Sequence, residues 1–456
     1  MQLDESIFKA YDIRGIYPEQ INEDLVYKIG RAYSTFLIKE NPEKKLSVVV
    51  SSDMRLSSPS LRESLTKGII DSGINVIDIG LASTPTFYFA VAFYGYDGGL
   101  QISASHNPKE YNGLKIVREK GIPISGEGGI YEIRDIVKNE SFIKVTSIKG
   151  EITKKEGVLD DEIKEENKGI NLEKIKPFKI AIDAANSMGA LDVKAIFKNL
   201  DCEVIEMNYN LDGNFPVHQA DPLKEENMKY VQDAVLQNKA DLGISIDGDG
   251  DRYFFVDEKG ETVPQSIIRG LMAQIAVKEN PGSTVCYDIR PGKITKDMIE
   301  EVGGNAVVTK VGHSLIKEKM IELDAVFGGE SSGHFFYKFD FGTFEAPITL
   351  IGKFLVYISE QNKPLSEIVK PYKKYFHTGE INTKVEDKEG KMKEIAEKYS
   401  DGKISYLDGV TIEYPDHWFN VRPSNTESLL RFALEATSKE KMEEKRDEIT
   451  SIIKSK

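Results

Sequence analysis

The sequence predicts an α/β protein with three successive α/β domains and a smaller C-terminal α+β domain. Three observations carry this prediction: short apolar runs alternate with helical patterns through most of the chain, the alternation restarts twice, and its rhythm changes near residue 371. The chain has 456 residues, enough for several domains of the usual ~100–200 residues. We therefore place the domains at 1–150, 151–256, 257–370 and 371–456.

In the first domain, LSVVVSSD at 46–53 predicts a buried strand, and Pro59 to Gly73 forms an amphipathic helical pattern that closes at a glycine. The strand INVIDIG, the helical TPTFYFAVAFYG and the strand GGLQISAS follow. This β-α-β-α-β order is typical of an open α/β sheet.

In the second domain the alternation restarts after a polar, charge-dense stretch from Lys149 to Lys176. Its strands are PFKIAIDAANS, CEVIEMN and DLGISID, and those of the third domain are STVCYDI, NAVVTKV and AVFGGE. In the fourth domain GEINTKVE, DGVTIEYPD, HWFNVRPS and LLRFALEA predict an antiparallel sheet with helices on one face. We expect a central cleft where the domains meet, a usual place for a ligand.

Composition excludes several classes of function. The net charge of −14 argues against nucleic acid or an anionic membrane as a partner. Two cysteines cannot build a disulfide framework, the N-terminus MQLDESIFKAYDIRG does not look like a signal peptide, and no apolar run is long enough to span a bilayer. We expect a cytoplasmic protein that acts on small molecules, and nothing implies an obligatory protein partner.

The first candidate site is ISASHNPKEYNG, which begins at the end of a predicted strand. Ser105 and His106 then lie on a loop at the carboxyl end of that strand, where open α/β sheets place their ligands. An ordinary polar turn fits the same residues equally well. No G-x-S-x-G surrounds Ser105, so acyl-transfer hydrolysis is not favoured.

The second is DGDGDR, in which Asp247, Asp249 and Asp251 alternate with glycines directly after an apolar strand. Three carboxylates this close repel one another unless a cation lies among them, and such hard oxygen ligands suit Mg²⁺. An EF-hand is excluded because Arg252 stands where that loop requires glycine. A phosphatase that uses Asp247 as its nucleophile remains an alternative.

Two further loops offer groups that bind sugars and phosphates. GGESSGH brings the Glu330 carboxylate, the Ser332 hydroxyl and the His334 imidazole together, a natural set for gripping sugar hydroxyls. VRPSNTE offers a guanidinium, hydroxyls and an amide that suit a phosphate dianion, from Arg422, Ser424, Asn425 and Thr426. A satisfied histidine and a capped turn are the structural alternatives for these two loops.

Several basic residues lie beside these loops, although each by itself is typical of a solvated surface charge. They are Arg14, Lys115, Arg252, Arg290, Lys293, Lys310 and His313. No G-x-x-x-x-G-K-[ST] loop, no G-x-G-x-x-G helix start and no Cys/His cluster occurs in the sequence. Nucleotide-driven chemistry and zinc are therefore poorly supported.

Taken together and in order, these motifs resemble the α-D-phosphohexomutase superfamily, and most closely its phosphomannomutase/phosphoglucomutase group. The shared motifs are AYDIRG, SASHNP, YNGLKIV, DGDGDR, GGESSGH and RPSNTE. The resemblance spans the whole chain and implies three related α/β domains plus a C-terminal domain shaped like the TATA-binding protein. Ser331 departs from the residue commonest in the bifunctional group, which bears on the identity of the sugar.

The resemblance also implies a mechanism in which Ser105 is a phosphorylated nucleophile that interconverts hexose 1- and 6-phosphates through a hexose 1,6-bisphosphate. Mg²⁺ would be held by Asp247, Asp249 and Asp251 with a phosphate oxygen on Ser105. The cationic and acid/base groups around the transferring phosphoryl group would be Arg14, His106, Lys115, Arg252 and His313. The substrate would be bound by Arg290, Glu330, Ser332, His334, Arg422, Ser424, Asn425 and Thr426.

Three alternatives stay open at this point. A phosphoglucosamine mutase would use the same chemistry on another sugar, and an Mg²⁺-dependent sugar phosphatase would release inorganic phosphate. A catalytically silent protein would bind sugar phosphates on the same scaffold without catalysing a reaction. The sequence does not rank mannose against glucose, which differ at one hydroxyl.

Overall fold

The computed structural model describes residues 3–144, 149–424 and 429–455. It contains two compact units, one formed by Met1–Val263 with Ser332–Ile368 and the other by Pro264–Ser331 with Val369–Lys456. Within the described ranges, no helix is both long and apolar enough to cross a bilayer.

The first α/β sheet has six strands in the order β1-β5-β4-β2-β3-β6. Its strands are β1 Ile13–Ile16, β2 Ser47–Ser52, β3 Asn75–Leu81, β4 Gly98–Ile102, β5 Tyr111–Arg118 and β6 Ile152–Lys154. Its helices are α1 Glu23–Glu40, α2 Ser58–Asp71, α3 Thr84–Phe93 and α4 Tyr131–Lys138. Strands β2, β3, β4 and β6 run parallel, whereas β5 is antiparallel to both β4 and β1. The β4–β5 hairpin therefore carries the SASHNP loop at its tip.

The second α/β sheet has the order β10-β9-β7-β8, with β10 antiparallel to β9. Its elements are α5 Val158–Glu166, β7 Lys179–Asp183, α6 Gly189–Phe197, β8 Glu203–Met207, α7 Glu225–Asn238, β9 Leu242–Ile246 and β10 Tyr253–Asp257. The DGDGDR loop joins β9 to β10, so the acidic residues follow the carboxyl end of a buried strand, as predicted.

The charge-dense stretch from Lys149 to Lys176 lies partly inside the folded unit. It contains strand β6 and helix α5, and the side chains of Glu162 and Glu166 on that helix are buried. The helix packs against α3, α6 and later elements of the same unit, which removes one of its faces from water. Composition alone could not reveal this, because a charge-dense helix is usually solvated on all faces.

The third α/β segment has three parallel strands, in which β11 lies between β12 and β13. Its elements are α8 Gln265–Glu279, β11 Thr284–Asp288, α9 Lys293–Glu301, β12 Asn305–Thr309, α10 His313–Glu322 and β13 Phe327–Gly329. The antiparallel pair β14 Phe335–Phe339 and β15 Gly342–Glu345 follows, then helices α11 Pro347–Gln361 and α12 Leu365–Val369.

The C-terminal region is an antiparallel sheet in the order β16-β20-β19-β18-β17. Its elements are β16 Phe376–Lys384, α13 Lys388–Lys398, β17 Lys403–Ser405, β18 Val410–Glu413, β19 His417–Pro423, β20 Leu429–Ala436 and α14 Lys439–Lys454. Ile395 of α13 and Ile449 of α14 share one apolar core with Phe419 and Phe432 of the sheet. The predicted order of three α/β domains and one α+β domain is therefore confirmed.

Candidate active site

The candidate nucleophile Ser105 lies in the loop between β4 and β5. Its side chain is buried, and its Oγ lies 3.0 Å from Oδ2 of Asp247 and 3.1 Å from Nδ1 of His106. The backbone φ of Ser105 is +49°, in the left-handed region that residues other than glycine rarely adopt. A buried hydroxyl held in a strained turn between a carboxylate and an imidazole has the surroundings of a functional group.

The acidic loop folds around the first of its three aspartates. Oδ1 of Asp247 accepts hydrogen bonds from the backbone N–H groups of Gly250, Asp251 and Arg252, each at 3.2 Å. Gly248 allows this loop to approach the serine loop, because a Cβ at that position would lie 2.3 Å from the carbonyl oxygen of Ser105. The serine and acidic loops are therefore in direct backbone contact.

Lys115 of strand β5 is the cation at the centre of the acidic loop. Its Nζ lies 2.5 Å from Oδ2 of Asp249 and 2.6 Å from Oδ2 of Asp251, and the side chain is buried. Burial alone would lower the pKa of Lys115, but the two carboxylates raise it well above its ordinary value. Lys115 is thus a protonated group inside the site, unlike the solvated surface charge that an isolated lysine suggests.

The three aspartates differ in the electrostatic environment around them. Burial and the charges of its two neighbours raise the pKa of Asp247 well above its ordinary value. Burial also acts to raise the pKa of Asp249 and Asp251, but Lys115 outweighs it and both pKa values are lowered, that of Asp251 strongly. Two ionised carboxylates and a third that ionises when another positive charge is supplied make a site that favours a cation.

The residues present fit a divalent metal ion. One oxygen from each of Asp247, Asp249 and Asp251 lies within 4.8 Å of the others, and Oδ1 of Asp249 is buried without a hydrogen-bond partner. Such an all-oxygen set is the kind that Mg²⁺ prefers. The group Asp251, His334 and Glu345 is equally compact, but its imidazole nitrogen suits Mg²⁺ less well.

His334 and Arg252 extend the site on the side of Asp251. Nε2 of His334 lies 3.2 Å from Oδ1 of Asp251 and 3.3 Å from Nε of Arg252, and its Nδ1 lies 3.0 Å from Oγ of Ser332. Nε of Arg252 is 3.7 Å from Oδ2 of Asp247. A predicted substrate group, a predicted cation and the metal loop are therefore linked by direct polar contacts.

His106 and Arg14 surround the serine loop. Burial and then the charges of Arg252 and Arg14 hold the pKa of His106 well below its ordinary value, so its imidazole is neutral at pH 7. Arg14 of β1 donates from Nη1 to Oδ1 of Asn107 at 2.7 Å, and its Nη2 pairs with Asp12 at 2.7 Å. Both predicted residues thus lie at the loop that carries Ser105.

Glu330 lies in the second unit with its own group of partners. Its Oε1 is 3.0 Å from Nη2 of Arg290 and accepts a hydrogen bond at 3.1 Å from the N–H of Gly312, the residue before His313 at the start of α10. Arg290 also pairs with Asp288. Burial would lower the pKa of Arg290, but Asp288 and Glu330 raise it.

Two other basic residues singled out in the sequence, Lys293 and Lys310, also lie in this unit. Lys310 is exposed, and Lys293 begins helix α9, where its N–H donates to Glu435 at 3.4 Å. Arg290 and Glu330, by contrast, are in direct contact.

The predicted phosphate loop is described only in part. Arg422 on β19 is buried and pairs with Glu380, which also accepts a hydrogen bond at 2.8 Å from Arg431. The N–H of Ser424 donates to the carbonyl of Leu429 at 2.9 Å. Asn425 and Thr426 lie outside the described residues.

Sequence reasoning missed two residues that contact the site. Thr84 follows β3 and donates from Oγ1 to Oδ2 of Asp249 at 2.6 Å, while its N–H donates to the carbonyl of Asp249. Arg55 follows β2, and its guanidinium contacts the serine loop. The rule that identified Ser105, polar residues at the carboxyl ends of parallel strands, applies equally to both.

Comparison with protein families places the whole chain in one architecture. Four phosphoglucomutase/phosphomannomutase family models match in order: alpha/beta/alpha domain I at residues 5–144, domain II at 161–260, domain III at 265–375 and the C-terminal domain at 380–452. These matches cover every motif named above.

Curated relatives and solved structures agree with this match. The chain is 40% identical to a phosphomannomutase of Methanocaldococcus jannaschii over 99% of this chain and 98% of that protein. It is 38% identical to a phosphomannomutase of Vibrio cholerae, with 98% of each chain covered. A phosphoglucomutase/phosphomannomutase family protein from Burkholderia thailandensis superposes with a TM-score of 0.91 at 30% identity, covering 99% of this chain and 98% of that one.

Proposed function

The chain belongs to the phosphoglucomutase/phosphomannomutase family of isomerases, and we propose that it interconverts hexose 1-phosphate and hexose 6-phosphate through phosphorylated Ser105 and a bound hexose 1,6-bisphosphate. The observation that carries the proposal is the placement of Ser105 Oγ 3.0 Å from Asp247, in the loop whose three carboxylates fit a divalent cation. The substrate class is mannose phosphate, glucose phosphate or both.

The first half of the reaction moves a phosphoryl group from the enzyme to the sugar. The bond between phosphorus and Ser105 Oγ breaks, a bond forms to the free hydroxyl oxygen of the hexose phosphate, and that hydroxyl gives up its proton. The second half is the reverse reaction at the other phosphate of the bisphosphate, after the intermediate has reoriented. Each cycle therefore returns the enzyme to its phosphorylated form.

Phosphoryl transfer depends mainly on positioning and on the neutralisation of charge. When bound by Asp247, Asp249 and Asp251, Mg²⁺ would supply positive charge to the transferring group. Lys115 and Arg252 are cations already in contact with those aspartates, and protonated Lys115 can stabilise negative charge or donate a proton. Lys115 and His313 are our candidates for the general acid/base that exchanges the hydroxyl proton.

The substrate is held by groups on separate loops. We assign the sugar hydroxyls to Glu330 and Ser332, with Arg290 holding the Glu330 carboxylate in place through their ion pair. His334, through its contact with Ser332, orients that hydroxyl. The phosphate that is not transferred is assigned to the loop that carries Arg422, Ser424, Asn425 and Thr426.

The test is ³¹P NMR with Mg²⁺, a trace of hexose 1,6-bisphosphate, and mannose 1-phosphate or glucose 1-phosphate in separate samples. We expect a 6-phosphate signal to grow as the 1-phosphate signal falls, and the relative rates identify the preferred sugar. Ser105→Ala should remove nearly all turnover, whereas Ser60→Ala on the exposed face of α2 should not. Substantial mutase activity in Ser105→Ala would refute the nucleophile.

Other outcomes of the same experiment identify the alternatives. Inorganic phosphate released in place of 6-phosphate would indicate a phosphatase with Asp247 as its nucleophile. Unchanged spectra with both sugars, followed by conversion of glucosamine 1-phosphate, would indicate a phosphoglucosamine mutase. Unchanged spectra with all three would indicate a silent binding protein.

A further inference from the structure

A buried arginine lies behind the serine loop and directs every N–H of its guanidinium to an acceptor. Nη2 of Arg55 donates to the carbonyl oxygens of Ser105 and Asn107, both at 2.7 Å. Nη1 donates to the carbonyl oxygens of Pro108 at 2.8 Å and Tyr111 at 3.0 Å. The fifth donor, Nε, lies 3.2 Å from Oδ2 of Asp53. Four of the five donors thus bind backbone carbonyls, three in the loop between β4 and β5 and one at the first residue of β5.

The carbonyl of His106, between those of Ser105 and Asn107, is bound by a different side chain. Nε2 of Gln219, which lies between β8 and α7, donates to the carbonyl oxygen of His106 at 2.7 Å. Three successive carbonyls, those of Ser105, His106 and Asn107, are therefore bound by side chains from other elements. We call Arg55 and Gln219 together the carbonyl brace.

The brace acts on a peptide that needs support. Ser105 has its φ at +49°, and its carbonyl oxygen lies between the Arg55 guanidinium and the backbone of Gly248. A left-handed conformation at a residue other than glycine persists only when its surroundings hold it. Holding the backbone of this turn fixes the direction of the Ser105 Cα–Cβ bond, from which Oγ reaches Asp247.

A charged guanidinium is an expensive way to bind carbonyls in the interior. Arg55 is 1% exposed, and burial lowers its pKa, with Asp53 as the carboxylate that opposes this effect. A lysine keeps the positive charge but has three donors without the planar fork, so it cannot serve five acceptors. The position therefore requires the geometry of arginine in addition to its charge.

We propose that the carbonyl brace is a positioning device that fixes Ser105 for phosphoryl transfer, with Arg55 as its principal residue. This inference rests on the proposed role of Ser105 as the nucleophile. Arg55 does not touch the substrate; it keeps Oγ in place while the serine alternates between hydroxyl and phosphate. A misaligned phosphoserine loses its phosphate to water more often per productive transfer.

The test compares Arg55→Lys with wild type. We expect kcat to fall by about 10²-fold, the order expected for a displacement of ~1 Å in a reacting group. KM for the hexose phosphate should stay within about twofold, because the sugar-binding groups are untouched. The ratio of 6-phosphate formed to phosphate released, followed by ³¹P NMR, should fall as well. A change in folding alone would not move this ratio.

The control is Arg62→Lys, the same substitution on helix α2 just after Arg55, at a residue that pairs with Asp78. It should keep the wild-type kcat and the wild-type ratio. An Arg55→Lys variant that folds with a kcat and ratio like those of Arg62→Lys would overturn the proposal.

If Arg55→Lys does not fold, a variant of Gln219, the half-exposed residue of the brace, tests the proposal instead. Gln219→Met removes the donor to His106 and should lower both kcat and the transfer-to-hydrolysis ratio; unchanged values would overturn the proposal. Phosphorylation of wild-type Ser105 by hexose 1,6-bisphosphate, measured by peptide mass spectrometry, separates the two levels of inference. If Ser105 is not phosphorylated, its role as the nucleophile is refuted. If Ser105 is phosphorylated but the brace variant keeps the wild-type kcat and ratio, only the proposed role of the brace is refuted.

Discussion

Two groups of buried carboxylates in the same unit differ in whether a positively charged side chain contacts them. The first is the metal-loop triad of Asp247, Asp249 and Asp251. The second, which we call the rear cluster, consists of Glu162, Glu166 and Asp192, and all six side chains are buried. The groups are near each other, because a Cβ on Gly250 would lie 3.0 Å from Oδ2 of Asp192.

The triad contains a cation and the rear cluster does not. Lys115 contacts two members of the triad, whereas no described residue forms an ion pair with a member of the rear cluster. Burial raises the pKa of Glu166 to about 8 and that of Asp192 to about 8, and it raises the pKa of Glu162 as well. At neutral pH the rear cluster therefore carries protons and the triad carries charge.

The difference teaches that burial alone does not determine what a carboxylate can do. Glu162 and Glu166 each accept a hydrogen bond from a neutral donor, the hydroxyl of Thr86 at 2.6 Å and the N–H of Thr349 at 3.1 Å. The triad instead has a fixed ammonium group, that of Lys115, in contact with Asp249 and Asp251. The first arrangement stabilises packing between helices, and the second is prepared for a divalent ion.

The largest expected effect comes from removing the cation of the triad. Lys115→Met should lower kcat/KM by about 10²–10³-fold, the order found when one preorganised charge-stabilising donor is lost. Lys120→Met, an exposed position just after the same strand, should leave kcat/KM near wild type. Equal activity of the two variants would remove Lys115 from the proposed mechanism. Steady-state assays with hexose 1-phosphate provide the measurement.

Metal binding should also distinguish the triad from the rear cluster. Saturating Mg²⁺ should stabilise the wild-type protein by about 2–3 kcal/mol at ~100 times its Kd, seen as a rise in Tm, and a chelator should reverse the rise. Asp249→Asn should lose most of this response, while Glu166→Gln should keep it. If the Mg²⁺ response were lost in Glu166→Gln and kept in Asp249→Asn, the metal would bind at the rear cluster and not at the triad, which would contradict the prediction.

The last expected effect is a pH dependence of stability from the rear cluster. The folded pKa values of Glu166 and Asp192 lie above their ordinary values of 4.5 and 3.8, so the folded state binds protons more tightly than the unfolded state. Their contribution to stability is complete below about pH 4 and is lost as the pH rises towards about 8, with a slope of up to ~1.4 kcal/mol per pH unit for each group.

Glu166→Gln should therefore flatten the fall in the free energy of unfolding between about pH 5 and pH 8. Urea unfolding across that range is the measurement, and Asp160→Asn, on the exposed face of the same helix, is the control. A slope in Glu166→Gln that matches both wild type and the control would show that Glu166 titrates normally.

Much of the candidate site could be predicted because its residues lie in short motifs. Ser105 and the three aspartates each follow an apolar strand directly, so local pattern placed them at the carboxyl ends of strands. The structure brings Ser105 and Asp247 within hydrogen-bond distance, although they are 142 positions apart. Arg55 follows a parallel strand and could have been found by the same rule, whereas Gln219 escaped prediction because it acts on a backbone carbonyl, which leaves no trace in the pattern of side chains.

By itself, the sequence determined the alternation of strands and helices, the change to an antiparallel domain near residue 371, and the family to which the motifs belong. Periodicity and turn residues are local properties, and they suffice for these conclusions. Only the tertiary structure decided which charges are compensated. Lys115 and Glu166 both appear in the sequence as ordinary charged residues, yet one is a buried cation between carboxylates and the other a buried acid with a raised pKa. Ionisation depends on burial and on neighbours distant in sequence, and folding alone supplies both.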